Sequence, residues 1–291
     1  MANRALFFTL SILLLVASCI RIPDQAVTAG HFTSSTPLNT ECLATVTTLA
    51  DDTSATGLQK DGVNPLGFRV LIWNSYKGWG KTWQGDLDRL SSLSDVVVLQ
   101  EAYLTEALQN MLDNKPFSWD IAEAFTLHNV KTGVLTAARV MPDFLCTFRT
   151  PEPLSKIPKT VLITRYPFTG SDVYLVIVNI HMINFALDLR AYRAQLRKIV
   201  AVVSHHSGPL VITGDFNTWN DKRWKILAET MQELGLKEVD FAADRRTTFM
   251  EHTVDHIFYR KLKPLNAVTE KVNTSDHNPM LVTFRLDNDE A

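Results

Sequence analysis

The sequence predicts an α/β fold in which buried strands are sandwiched between layers of helix. Three observations point to it. Apolar runs rich in Val, Ile and Leu recur after Gly67, most of them only four to eight residues long, as expected for strands covered on both faces. Segments with helical spacing of apolar residues separate several of them. Four of the runs end in a polar or ionisable residue, which places candidate chemistry at one end of the strands.

The runs occupy 68–73, 96–99, 133–138, 161–164, 173–180, 210–213, 253–259 and 280–284. From Leu189 the positions Tyr192, Leu196, Ile199 or Val200, and Val203 recur every three or four residues, while Arg190, Arg193, Arg197 and Lys198 fall largely elsewhere; this is an amphipathic helix. Trp224, Leu227, Met231 and Leu234 repeat the pattern, with Asn220 or Asp221 as the N-cap and Gly235 as the stop. Two further helices are expected over 82–93 and 103–112.

The N-terminal segment has a different texture. Arg4 precedes an almost wholly apolar run over 5–16, too short for the roughly 20 residues of a membrane span and suited to an export signal. Val16-Ala17-Ser18-Cys19 resembles a bacterial lipobox, which implies a signal peptide over 1–18 and lipidation of Cys19. A plain cleaved signal is the alternative. Residues 19–66, rich in Thr, Ser, Ala, Asp, Gly and Pro, lack periodicity and read as a tether. The folded domain then spans 67–287, with a tail at 288–291. Export would place Cys42 and Cys146 in an oxidising compartment where they could pair. Net charge is −2, from 29 Lys and Arg against 31 Asp and Glu, so overall charge gives no reason to bind a polyanion.

The strand ends carry the chemistry. The run at 68–73 leads into Asn74, that at 96–99 into Gln100-Glu101, that at 173–180 into His181, and that at 210–213 into Gly214-Asp215-Phe216-Asn217. A carboxylate or imidazole after so many buried residues carries a desolvation cost, and four such endings suggest one shared pocket. Alternation along a strand puts Asn179 on the face of His181 and Asp215 on that of Asn217, with Phe216 turned into packing. Asp255 lies within a strand and needs a partner, for which a histidine is the natural choice; Asp276-His277 precedes the last apolar run.

In order and spacing, Asn74, Gln100-Glu101, Asn179-Ile180-His181, Gly214-Asp215-Phe216-Asn217, Val254-Asp255-His256 and Ser275-Asp276-His277 resemble the endonuclease/exonuclease/phosphatase superfamily over about 68–285. The stretch 178–217 is most similar to its YafD-like bacterial branch. The resemblance implies a four-layer sandwich, two mixed β-sheets face to face with helices outside. It implies a catalytic set of His181, Asp215, Asn217, Asp255 and His277, and a metal set of Asn74, Glu101 and Asp276 holding Mg²⁺, with Mn²⁺ as the alternative. The activity implied is phosphodiesterase or nuclease on a phosphate ester, whether nucleic acid, phospholipid or small phosphorylated molecule. The expected setting is the bacterial cell envelope, as a periplasm-facing, monomeric lipoprotein joined to the membrane through Cys19. A zinc-dependent hydrolase using His181, Asp215 and His277, or a non-catalytic binding lipoprotein on the same fold, are the competing classes.

Other residues read more plainly. His256, next to Asp255, should face away and be structural; His205 and His206 end a helix and are not expected as ligands. Lys77 and Lys159 are expected as solvated charges, with phosphate contact as the alternative. Tyr76, Trp79 and Trp83 are expected in core packing, with a substrate wall as the alternative. Arg245-Arg246 fits a phosphate contact or simple solvation equally well.

Overall fold

The computed structural model describes residues 20–24, 26–29, 42, 61–186 and 188–287. The signal-peptide segment, Cys19, most of the expected tether and the tail at 288–291 lie outside these residues.

Two mixed sheets pack face to face. The first is eight-stranded and runs β1 (Ile20–Arg21), β5 (Ser118–Leu127), β6 (Val130–Ala138), β4 (Val96–Tyr103), β3 (Phe68–Asn74), β16 (Met280–Leu286) and β15 (Leu262–Thr269), with β2 (Val27–Ala29) also paired to β5. The second is six-stranded and runs β11 (Lys237–Glu238), β14 (Asp255–Arg260), β10 (Leu210–Asp215), β9 (Tyr174–His181), β8 (Pro158–Pro167) and β7 (Phe144–Pro151). A small ribbon, β12 (Thr248–Phe249) with β13 (His252–Thr253), stands apart.

Between the sheets, Val70, Ile72, Val96 and Val98 meet Ile177, Val211 and Ile257. Alternate residues of the same strands face outward. Leu71, Trp73, Val97 and Leu99 pack against α1 (Trp83–Ser92) and α2 (Glu106–Asp113), through Leu87, Leu90, Leu108 and Leu112. Val176, Val178 and Ile212 pack against α3 (Arg190–Val203) and α4 (Asp221–Glu233), through Tyr192, Leu196, Ile199 and Leu227. Strands covered on both faces explain the continuous apolar runs, and the four layers are those implied by the resemblance.

Two expectations need correction, and one left open is answered. Residues 20–21 and 27–29 are not tether: they add to β5, with Ile20 opposite Leu127 and Val27 opposite Ala122. The expected helix at 103–112 starts at Glu106, because Tyr103 still pairs in β4 and Thr105 caps the helix by accepting from the Leu108 N–H. Cys42 and Cys146 are joined by a disulfide that ties the N-terminal segment to β7.

Candidate active site

Topology concentrates polar ends. In the first sheet β3 and β4 are parallel and finish together, while antiparallel β16 begins beside them. In the second, β9 and β10 are parallel and finish together, while antiparallel β14 begins beside them. Register then puts Asp255, Asp215 and His181 on one rung across β14, β10 and β9. Asn74 stands opposite Gln100, next to Glu101. Gly214, with φ of 137°, is required on this rung: a Cβ there would lie 2.1 Å from the Ile180 carbonyl oxygen.

Side chains from both sheets meet over that rung. Asn74 Nδ2 donates to Asp215 Oδ2 at 3.1 Å, and the Asn217 N–H donates to Asp215 Oδ1 at 2.9 Å. His181 Nε2 lies 3.4 Å and His277 Nε2 4.0 Å from Asp215 Oδ2. His277 Nδ1 donates to Asp255 Oδ2 at 2.7 Å, so Asp255 has the histidine partner its burial requires. Beneath them Gln100 Nε2 donates to Asn179 Oδ1 at 2.8 Å, and Asn179 Nδ2 donates to the Leu135 carbonyl at 2.9 Å, which braces the sheets against one another. Glu101 and Asn217 hold φ of 50° and 51°, and Lys77 55°; for non-glycine residues this is strained backbone, which turns such as His128-Asn129 and Met250-Glu251 also hold.

Lys77 and Lys159 are where expectation failed. Neither is a solvated charge: Lys77 is half-buried and ion-paired with Glu101, and Lys159, on β8, brings Nζ to 2.6 Å from His181 Nε2. Tyr76 and Trp79 also depart from the core role, being exposed and in edge-to-face contact at 5.4 Å with Lys77 over the Trp79 ring; Trp83 alone is buried. His256 is structural as expected, bonded to Glu238 at 2.7 Å and stacked on Trp224. Arg246 is neither solvated nor free, being ion-paired with Asp244 and Glu238.

Charges within the cleft divide the work. Burial would raise the Glu101 carboxyl, but Lys77 and Lys159 outweigh it and hold the group below its ordinary value. Burial, with Lys159, His277 and Lys77 adding to it, pushes His181 well below the usual imidazole range, so its ring is neutral at pH 7. Burial opposes charge on His277 too, yet Asp255 and Asp215 raise it to about 10, leaving an imidazolium at neutral pH. Asp215 is pushed by burial up to about 6.

Donors for a metal ion are present in two groups. Of the expected set, Asn74 lies beside Glu101 across β3 and β4, and Asp276 reaches the same strand end, for the Ser275 hydroxyl lies 2.7 Å from the Asn74 carbonyl oxygen and 3.4 Å from Asp276 Oδ1. Their side chains nevertheless have other partners, Lys77 on Glu101 and Asp215 on Asn74, while Asp276 is exposed. The second group is Asp215, Asp255 and His277, whose ligand atoms lie within 4.8 Å of one another. Oxygen donors dominate both, which suits a hard divalent cation.

Comparison with known proteins adds a lineage. Residues 71–277 match the model of the endonuclease/exonuclease/phosphatase family. A UPF0294 protein of Vibrio vulnificus is 35% identical over 221 residues, covering 76% of this chain and 78% of its own length. A UPF0294 protein of Klebsiella pneumoniae is 37% identical over 216 residues, covering 74% of this chain and 81% of its own length. Among solved structures, the human Nocturnin catalytic domain with bound sulfate superposes with a TM-score of 0.60 at 18% identity, over 78% of this chain and 97% of that one. ANGEL2, a 2′,3′-cyclic phosphatase, superposes at 0.57 with 14% identity, over 78% of this chain and 98% of that one. At these identities the solved structures bear on fold alone.

Proposed function

Because the chain belongs to the endonuclease/exonuclease/phosphatase family, we propose that it is a divalent-metal-dependent phosphoric ester hydrolase, most simply a phosphodiesterase or nuclease, working at the bacterial cell envelope. One observation supports this reading above the others. Asp255, Asp215 and His181 occupy a single rung, with Asn74, Glu101 and His277 brought over it from the other sheet and its flanking loop.

Asn74, Glu101 and Asp276 would hold Mg²⁺ or Mn²⁺, which when bound supplies positive charge to the phosphate oxygens. Asp215 is the candidate base. Held at about 6, it is ionised at neutral pH yet close enough in affinity to take a proton from an attacking water. Asn74 and the Asn217 N–H fix its two oxygens, so the carboxylate is oriented before substrate arrives. His181, kept neutral, accepts from the Lys159 ammonium at Nε2 and so holds that charge in the cleft, where it can meet a phosphate oxygen. His277, kept as imidazolium by Asp255, stabilises negative charge that builds on phosphorus-bound oxygens.

A zinc hydrolase is the second reading, favoured by the Asp215, Asp255 and His277 cluster. Lys159 counts against including His181 in such a site, because its ammonium stands where a cation on Nε2 would sit. The envelope setting draws on the lipobox-like 16–19 and on the Cys42–Cys146 disulfide, a bond suited to an oxidising compartment. With Ile20 already paired to Leu127, a lipid on Cys19 would hold the body against the membrane rather than on a long leash.

The test is a hydrolysis screen of metal-stripped protein over DNA, RNA, phospholipids and small phosphodiesters, with Mg²⁺, Mn²⁺ or Zn²⁺ restored separately. Turnover with Mg²⁺ or Mn²⁺ that is lost in His181→Ala supports the proposal. Activity with Zn²⁺ alone moves the assignment to the second reading, and no turnover on any ester leaves a binding protein.

A further inference from the structure

A cavity of about 170 Å³ opens from the cleft, and the residues of the proposed reaction form only one end of it. That end carries Glu101, Lys77, Lys159 and His181. Beyond it the walls change character. Ala124 and Phe125 of β5 form one side, Ile157 and Pro158 at the entry to β8 form the other, and Phe185 stands at the mouth.

Phe185 is 60% exposed, an unusual position for a phenylalanine in a loop with no apolar cover of its own. The loop is fixed there: the buried Glu152 carboxylate accepts from the Asn184 N–H at 2.7 Å and the Phe185 N–H at 3.0 Å. The β5 side is fixed as well, since the register of β5 and β6 shifts between Glu123 and Phe125, which turns this stretch out of the regular ladder. The whole cavity, its charged end included, is of the size that holds benzene, about 150 Å³, so its apolar end admits one compact group no larger than a ring. A sugar-phosphate backbone would set charged groups against Phe125, Ile157 and Phe185 at a desolvation cost, with Thr132, Ser155 and Thr160 the uncharged polar residues on the lining and Glu152 adding like charge.

We propose that this cavity is a specificity subsite that seats a compact, uncharged apolar group, of ring size, esterified to the phosphate held at Lys159 and His181. The preferred substrate is then a small phosphodiester with one apolar ester group, not an extended nucleic acid. This rests on the phosphoester reading of the site.

Binding of three phosphonates to the full mature protein, measured by calorimetry with and without Mg²⁺, tests it. Phenylphosphonate should bind about tenfold or more tighter than methylphosphonate, the gain from burying a ring. 2-Carboxyethylphosphonate, similar in bulk but charged, should bind no better than methylphosphonate. Filling the cavity with Ile157→Trp should pull the phenyl-to-methyl affinity ratio back toward one, and Phe185→Ala should lower it as well, with circular dichroism confirming that both variants fold. Equal binding of all three phosphonates alongside intact diester hydrolysis, or an unchanged ratio in both folded variants, overturns the subsite while sparing the proposed reaction. Failure of every phosphonate to bind, together with no hydrolysis of any diester, overturns both.

Discussion

Replacing Asp255 by Asn should lower the pH at which His277 gives up its imidazolium proton. The 2.7 Å bond from Nδ1 and the nearby Asp215 carboxylate together raise the ring to about 10 despite its burial. Asparagine can still accept from Nδ1 but brings no charge, so the ring should titrate well below its wild-type value, with burial opposing its charge and only Asp215 and Asp276 still raising it. The sign for stability follows from linkage. A raised histidine contributes fully below its unfolded value of 6.5 and loses that contribution as pH climbs through about 10. Breaking so buried a pair should therefore cost about 3–5 kcal/mol at neutral pH, and the difference between wild type and variant should shrink above pH 10. The assay is carbon-detected NMR of the His277 ring in metal-free protein across pH 5–11, with turnover of a diester followed in parallel. Once Asp215 is ionised, turnover in the variant should start to fall at a lower pH than in wild type, which holds until His277 deprotonates near 10. If the wild-type ring titrates below pH 7, or if both proteins titrate alike, the account of the Asp255–His277 pair is wrong.

Other outcomes follow from features away from the reacting corner. Asp120 has no exposed surface and neither oxygen has a partner among the described residues; burial holds it at about 7 rather than 3.8, so ionising it weakens the fold by about 4 kcal/mol. Wild-type stability should fall as pH rises from 4 to 7, and Asp120→Asn should flatten that slope in thermal melts; an unchanged slope would contradict it. The Cys42–Cys146 bond closes a separation of 104 residues, so Cys146→Ser should lose about 2–5 kcal/mol in denaturant titrations, and wild type with reductant should match the variant. Mass spectrometry of protein purified from membranes should find diacylglycerol on an N-terminal Cys19, whereas a mature chain starting elsewhere without lipid would exclude the anchor.

Much of this architecture was legible in the sequence because both sheets are covered on both faces. A strand such as Leu210–Asp215 must then be apolar until it reaches the cleft, and its first polar residues mark the site. What escaped notice lacks that signature. β5 carries Asp120 and Glu123 in its interior, β15 exposes Lys263, Leu265 and Val268, and neither reads as a buried run. β1 and β2 are two and three residues long and exist only because β5 offers them an edge. Lys159 was hidden for another reason. A lysine after Pro158 looks like any loop lysine, and only the pairing of β8 with β9 shows that it reaches His181. The apolar cavity has no signal of its own either, since Phe125, Ile157 and Phe185 are far apart in the chain and become neighbours through the fold.

The central claim is that Glu101 serves a divalent cation at a phosphoester-cleaving site, and a metal titration of Glu101→Gln tests it most directly. Glu101 is held ionised by Lys77 and Lys159, so removing its charge gives up those pairings and should weaken the ion's seat more than it weakens the fold. With one phosphodiester at fixed concentration, the Mg²⁺ concentration giving half-maximal rate should rise at least tenfold in the variant, with circular dichroism confirming that the metal-free variant is folded. A wild-type rate indifferent to Mg²⁺ and Mn²⁺, or identical titrations for Glu101→Gln and wild type, would contradict the account.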